Sequence, residues 1–235
     1  MKSFSCKYCI NSDCFIKLCS PEWIREIDKQ KSQSLFKKDE NIFIAGTPVL
    51  GLYFIQKGKI KVFSTGYNGR KQIVRFATDG HILGHRGLGN DVYPVGASAM
   101  ENSLVCFIKN DLLEKIFLTN PKLPIELMMY YSLELRKMEE RVRNIAQMNL
   151  RERTALALLL LYENFGLTKR NELNVPFTRE DIADAASSTR QQVTMQISEF
   201  EMDGYIEKNG KKIVLINIDG LQKIIGKYYS YAVAV

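Results

Sequence analysis

The chain has 235 residues, 46% apolar and 25% charged, with a formal charge of +7. That composition is globular and can bury one large or two modest cores, and the positive charge suggests an anionic partner such as nucleic acid. No charged start leads into a long apolar run, and the longest apolar stretch, Ala155 to Leu161, is far short of the roughly 20 residues a membrane span needs, so a cytoplasmic protein with no membrane partner is expected.

The first feature along the chain is sulfur. Cys6, Cys9, Cys14 and Cys19 crowd the N-terminus, and Cys106 stands alone near the middle. In a reducing compartment, clustered thiols more often serve as metal ligands or redox groups than as disulfides. The pair Cys6-x2-Cys9 is specific for that chemistry, though not for one metal.

Residues 36 to 108 follow as short strands. "NIFIAG", "LYFIQKGKIKVFS" and "KQIVRFATDGHILG" alternate apolar with polar residues, and Gly46, Gly51, Gly58, Gly80 and Gly84 punctuate them. Asn68-Gly69 has the chemistry of a tight hairpin turn, because both residues tolerate positive φ. Many short strands with regular turns predict a sandwich or barrel. Two histidines, His81 and His85, are expected to be exposed on it.

Asp111 and Glu114 have the spacing of a capping box. A long helix is predicted after Pro121 and Pro124. Its apolar positions Met128, Tyr131, Leu135, Met138, Val142 and Ile145 recur as a heptad seam that can pack on the chain's own core or on a twin helix, and the wide charged surround favours the twin. The polar "LTKRNELNVP" reads as a loop.

Thr178 then caps a short helix, answered by Asp181, and Ile182, Ala185 and Ala186 form its buried side. Ser187-Ser188 breaks it. Ser188 or Thr189 caps a second helix with Val193, Ile197 and Phe200 inward. "GYIEKNGKKIVLIN" reads as strand, Asn209-Gly210 turn, strand. Two short helices and a hairpin make a winged helix-turn-helix. Arg190, Gln191, Thr194 and Ser198 face outward on the second helix. Arginine suits guanine edges and glutamine adenine edges, since their paired groups match the major-groove pattern. Thr178, Arg179, Ser188 and Thr189 flank them. Lys208, Lys211 and Lys212 on the wing suit phosphate contacts.

This order resembles the CRP/FNR family of bacterial transcription regulators over nearly the whole chain. "LYFIQKGKIKVF" is similar to the family's sensory-barrel signature, and "TREDIADAASSTRQQVTMQISEFEMDGYIEKNGKKI" to its DNA-binding signature. The resemblance implies an α+β chain with a cyclic-nucleotide-binding-like β-barrel (jelly roll), a long dimerisation helix and a C-terminal winged helix-turn-helix. The expected segments are residues 1–20 (cysteine-rich), 21–120 (barrel), 121–149 (helix) and 150–235 (DNA-binding domain). A homodimer, a palindromic double-stranded DNA site and contact with RNA polymerase are also implied.

Members that bind cyclic nucleotides carry a Gly-Glu pair and a nearby Arg-Ser/Thr-Ala. This chain has Gly84-His85 at the first place and Tyr93-Pro94-Val95-Gly96-Ala97 around the second, with Arg86 out of position. A buried cyclic phosphate without a guanidinium partner would be costly, which argues against cyclic AMP.

The family's oxygen-sensing branch holds an iron–sulfur cluster with three N-terminal cysteines and one in the barrel, and it is this branch that the layout resembles most. "ASAMENSLVCFI" is similar to its segment around the distal ligand. The resemblance therefore implies a [4Fe–4S] cluster on Cys6, Cys9, Cys14 and Cys106, responding to oxygen, nitric oxide or redox state. The branch has five residues between its second and third cysteines and this chain has four, so Cys19 is an alternative third ligand. Two other readings of the sulfur stand beside it: a zinc site of Cys6, Cys9, Cys14 and Cys19, or unliganded thiols with Cys106 simply buried.

The branch commonly reads DNA with Glu, Ser and Arg where this chain has Gln191, Thr194 and Met195, so its half-site does not transfer. No nucleophile–base pair, phosphate loop or hydrolase metal spacing is present, and no enzyme is expected. Two rival functions are a regulator with a small organic effector in the barrel, and a zinc-stabilised protein-interaction module.

Overall fold

A computed structural model describes residues 5–228; the outer ends of the first and last expected segments, residues 1–4 and 229–235, lie outside the described residues. Two compact units are present. One takes the chain up to Ser64 together with Ala77–Glu134, and the other takes Thr65–Phe76 and the chain from Leu135 onward.

The first unit begins with an arm of two 3-10 turns, Cys6–Tyr8 and Phe15–Leu18. Helix α1 (Pro21–Gln30) follows, opened by the Ser20 hydroxyl accepting from the Trp23 N–H, with Pro21 in the first turn where its missing N–H costs nothing. Strands β1 (Ser32–Phe36), β8 (Ser103–Lys109), β3 (Gly51–Lys57) and β6 (Ile82–Leu83) form one sheet in that order. Strands β2 (Asn41–Phe43), β7 (Gly96–Ala99) and β4 (Ile60–Thr65) lie in that order in the second, and β5 (Lys71–Ala77) belongs almost wholly to the stretch that the other unit takes. This is the expected barrel. Gly58 between β3 and β4 has φ +144, and a Cβ there would lie 2.1 Å from the Ser103 hydroxyl, so only glycine fits. Gly69 has φ +76 between β4 and β5, but Asn68 does not take a positive φ and residues 66 to 70 separate the strands, so the loop is longer than the tight turn the Asn-Gly signal predicts.

The apolar core joins Leu52, Phe54, Ile82 and Ile108 of the first sheet to Ile16 of the arm, Ile27 of α1 and Leu113 and Ile116 of helix α2 (Asn110–Thr119). The capping box expected from Asp111 and Glu114 does not form. Asn110 already starts the helix, held by bonds from its N–H to Leu50 C=O and from its Nδ2 to Val49 C=O, so Asp111 lies inside the first turn. There its charge complements the helix dipole instead.

Helix α3 (Lys122–Gln147) runs for 26 residues, as the heptad spacing predicts. Its seam positions do not share one environment. Met128, Leu135 and Val142 are 63%, 62% and 65% exposed, whereas Tyr131, Met138 and Ile145 are half-buried. His85 is another correction: it is buried, not exposed, because its ring sits edge-on between Tyr130 and Tyr131 and the Tyr131 hydroxyl donates to its carbonyl.

In the second unit, helix α4 (Leu150–Phe165) opens on an Asn149–Glu152 capping box. Helices α5 (Arg179–Ala186) and α6 (Arg190–Met202) open on Thr178–Asp181 and Thr189–Gln192 capping boxes. Ser187, left-handed at φ +54, breaks the chain between them. Strands β9 (Ile206–Asn209) and β10 (Lys212–Leu215) pair Asn209 with Lys212. The two central turn residues are thus Gly210 and Lys211, one later than the sequence suggests, since Asn209 is used in the ladder and Gly210 supplies the positive φ of +62. Helix α7 (Ile218–Ile225) closes the unit. The expected loop at 167–176 is partly ordered by bridges Leu167–Leu173 and Glu172–Val214.

Candidate functional site

The arm is laid on the barrel by polar contacts that fix its cysteines. The Cys6 N–H donates to Asp28 Oδ1 at 2.7 Å, and the Ser5 hydroxyl donates to Asp28 Oδ2 at 2.5 Å. Lys17 Nζ donates to the Cys6 carbonyl at 2.6 Å, and Asn11 Nδ2 reaches the carbonyls of Ile55 and Gln56 on β3. Cys106 projects from β8, where its register partners are Gln33 and Phe54. Cys6, Cys9, Cys14 and Cys106 thereby line one partly open cavity of about 440 Å³, counting the space open to solvent. Lys31, Gln33 and Gln56 line it with them. All five cysteines are free thiols.

Cys19 is not among the cavity-lining residues. It follows the 3-10 turn that Cys14 precedes and is 6% exposed within the apolar core. Sequence spacing leaves Cys14 and Cys19 equivalent; the turn between them sends one to the cavity and the other to the core.

Burial, together with the neighbouring sulfurs of Cys6, Cys9 and Cys106, raises the Cys14 thiol to about 12. Burial also raises Cys6 to about 11, partly offset by Lys31 Nζ, which donates to its sulfur at 3.0 Å. The Cys106 thiol is raised by burial and opposed by Gln33 Nε2, 3.3 Å from its sulfur. Such thiols are protonated and inert at neutral pH. A metal that displaces their protons supplies the charge partner that burial denies them. The donor set fits an iron–sulfur cluster, which takes four cysteine thiolates. Among the described residues, no three His, Cys, Asp or Glu side chains converge as they would on a single ion.

The nucleotide segment of the barrel is otherwise engaged. Arg86 pairs with Glu134 at 3.2 Å, and Tyr93 is buried on Phe43 with its hydroxyl donating to Gly51 C=O.

In the second unit, α6 buries Val193, Ile197 and Phe200 and exposes Arg190, Gln191, Thr194 and Met195. The first three of those exposed residues are among the expected base readers; Met195 stands beside them. Thr178 and Thr189 are exposed helix caps, while Arg179 and Ser198 are half-buried. Ser188 is buried, and its hydroxyl donates to Gln192 Oε1. Of the wing lysines, Lys208 pairs with Glu201 at 2.6 Å and Lys212 with Glu172 at 2.5 Å, while Lys211 is exposed at the tip.

Several positioning groups escape sequence reasoning. Arg151 of α4 bonds Glu199 and Asp203 of α6 and lies over the Phe200 ring, 4.9 Å from its centre. Arg70 donates to the Ser188 carbonyl, and Arg141 to the carbonyls of Ala185 and Ile73. Glu172 accepts from Asn209 and Lys212. Each joins residues too far apart in the chain for any local pattern to link them.

A jelly-roll barrel, a long helix with an exposed apolar stripe and a winged helix-turn-helix together define a sensor–effector regulator of DNA. A family model described as a cyclic nucleotide-binding domain matches residues 33–120, and one described as a Crp-like helix-turn-helix domain matches residues 152–224. The anaerobic regulatory protein of Aggregatibacter actinomycetemcomitans is 30% identical over 200 residues, covering 84% of this chain and 75% of that protein. The fumarate and nitrate reduction regulatory protein of Escherichia coli K12 is 27% identical over 224 residues, covering 91% of this chain and 89% of that protein. Among solved structures, FixK2 from Bradyrhizobium japonicum shares the fold with a TM-score of 0.73 at 24% identity, covering 83% of this chain and 96% of that one. The chain belongs to the CRP/FNR family of transcription regulators. It is a DNA-binding regulator, not an enzyme. No helix among the described residues is long and apolar enough to cross a membrane.

Proposed function

We propose that this regulator holds an iron–sulfur cluster on Cys6, Cys9, Cys14 and Cys106 and couples oxygen, nitric oxide or redox state to binding of a palindromic promoter by a homodimer. The observation that carries the reading is that three cysteines of the arm and the sequence-distant Cys106 line one cavity that Cys19 does not line. The anaerobic regulators among its relatives support the choice of signal. When bound, the cluster would supply a reaction centre for an oxidant. The chain's own residues do the rest. The four sulfurs would tie the arm to β8 in addition to the polar contacts that already lay it on the barrel, so loss of the cluster would loosen the arm. Asp28 and Asn11 hold the arm's backbone so that the sulfurs are presented inward.

On the effector side, Arg190, Gln191 and Thr194 would read base edges while Lys211 contacts phosphate. Met128, Leu135 and Val142 would pack on the same stripe of a second copy. A cytoplasmic location and contact with RNA polymerase complete the proposal.

Iron and acid-labile sulfide analysis of protein purified without oxygen tests the ligand set. The wild-type chain and Cys19→Ala should both carry a four-iron cluster, and Cys106→Ala and Cys14→Ala should not. A wild-type protein that holds zinc alone, or no metal even after anaerobic reconstitution, would overturn the proposal.

A further inference from the structure

Lys31 is a lysine where a lysine is expensive. Its side chain is 1% exposed, at the junction of α1 and β1, and burying an ammonium is unfavourable unless it is paired and hydrogen-bonded. Asp28 and Cys6 are among the partners that hold it. Asp28 Oδ1, three residues earlier on α1, lies 2.8 Å from its Nζ, and Cys6 Sγ lies 3.0 Å away. The same carboxylate accepts the Cys6 N–H, so one residue fixes both the ammonium and the backbone of the cysteine it faces. Lys31 also lines the cysteine cavity. An ordinary structural ion pair would put its cation against carboxylates or carbonyls. Here one donor is aimed at a thiol that opens onto a cavity with three others.

We infer that Lys31, oriented by Asp28, is a positioning and charge-compensating residue for Cys6 as a metal ligand. The inference rests on the cluster reading and extends it to a residue outside the ligand set. Four thiolates around a metal–sulfur core leave a net negative charge in a half-buried cavity, and a fixed ammonium beside one sulfur stabilises that charge as an outer partner of the ligand. Gln33 Nε2 gives Cys106 a neutral counterpart at 3.3 Å. The two sulfurs, one from the arm and one from the barrel, are therefore each given a side-chain donor, and the donor bonded to the arm's sulfur is the charged one.

The test compares wild type, Lys31→Met and Asp28→Asn, each reconstituted with iron and sulfide without oxygen. Lys31→Met keeps the bulk of the side chain and removes the charge. Asp28→Asn, at a partly exposed position, leaves the ammonium in place without its anchor and covers the case in which Lys31→Met fails to fold. The readouts are the rate at which a ferrous chelator strips iron anaerobically and the midpoint potential of the bound cluster. Losing an outer partner of a metal ligand typically weakens metal holding about 10- to 100-fold, so iron loss should be at least about 10-fold faster in both variants. The potential should fall in Lys31→Met, since a nearby cation favours the reduced, more negative centre, and Lys31→Arg should recover most of that fall. A purely structural role would change melting temperature but not the potential of clusters that do form. Wild-type rates and potentials in loaded Lys31→Met and Asp28→Asn would overturn the inference and leave the cluster standing. A wild-type protein that takes up no iron would overturn both.

Discussion

At the scale of single residues, the two ends of the regulator differ in how directly side-chain chemistry shows. Arg190 is exposed in the first turn of α6, next to Gln191 and one turn from Thr194. Arg190→Ala should weaken binding to the specific site by about 1–3 kcal/mol while leaving non-specific binding almost unchanged, because a bidentate base contact carries sequence information that a phosphate contact does not. A fluorescence anisotropy titration on specific and scrambled duplexes at one salt concentration checks this, and equal losses on both would refute base reading. The exposed face of α6 was legible because helix periodicity assigns faces: once Val193, Ile197 and Phe200 are inward, the outward residues follow. The cysteines were legible as a set, but not which four belong together. Nothing in the spacing shows that Cys14 precedes the turn of Phe15–Leu18 and Cys19 follows it into the core. Lys31 gave no signal at all, because a lysine at a helix–strand junction ordinarily reads as solvated.

At the scale of elements, capping carries most of what sequence can say and ion pairs most of what it cannot. The boxes at Thr178–Asp181 and Thr189–Gln192 fix where α5 and α6 begin, so the angle between them depends on the Ser187 break and on what grips the turn. Arg141 and Arg70 supply that grip by donating to Ala185 and Ser188 carbonyls, which the helix end and the left-handed turn leave without helical partners. The wing is anchored differently. Lys212 and Asn209 converge on Glu172, and the Lys212 hydrogen bond holds the Glu172 carboxyl below its usual range. A carboxylate with a depressed folded value contributes stability that is complete above its unfolded value, near pH 4.3, and is lost as pH falls through the folded one. Acid should therefore loosen the wing in wild type, and Glu172→Gln, having no such proton to gain, should show a shallower fall in melting temperature below about pH 5. Identical slopes for the two proteins would remove Glu172 from the account of the wing. The pairing also revises the wing's chemistry. Lys208 and Lys212 are partly neutralised by Glu201 and Glu172, which leaves Lys211 as the wing's most available cation for phosphate.

At the scale of the whole molecule, the stripe on α3 leaves large apolar side chains exposed. Met128, Leu135 and Val142 repeat every seven residues and remain mostly exposed, whereas Tyr131, Met138 and Ile145 are already half-covered. The sequence pattern could not separate these two sets, because one heptad seam serves equally for packing on the chain's own core and on a twin. Leu135→Glu would bury an unpaired carboxylate in a paired seam at a cost of about 3 kcal/mol or more, which is roughly 100-fold in the dimer dissociation constant. Sedimentation should show a monomer at micromolar concentration; a persisting dimer would move the interface elsewhere. The barrel and the winged helix were legible from turn chemistry and alternation, and the family from the order of its parts. The proposed coupling between the cysteine cavity and the DNA-binding helix was not, since it would depend on how a cofactor held by one segment alters the pairing of another.

That coupling is also the central claim, and one measurement addresses it most directly. A palindromic duplex, selected by the protein itself from random sequence, is titrated with iron-loaded protein without oxygen and again after exposure of the same sample to air, at fixed salt. The specific affinity should change by at least about tenfold, about 1.4 kcal/mol, as the cluster is lost, while non-specific binding stays the same. Equal specific affinities before and after, with iron analysis showing that the cluster had gone, would contradict a cluster that governs DNA binding.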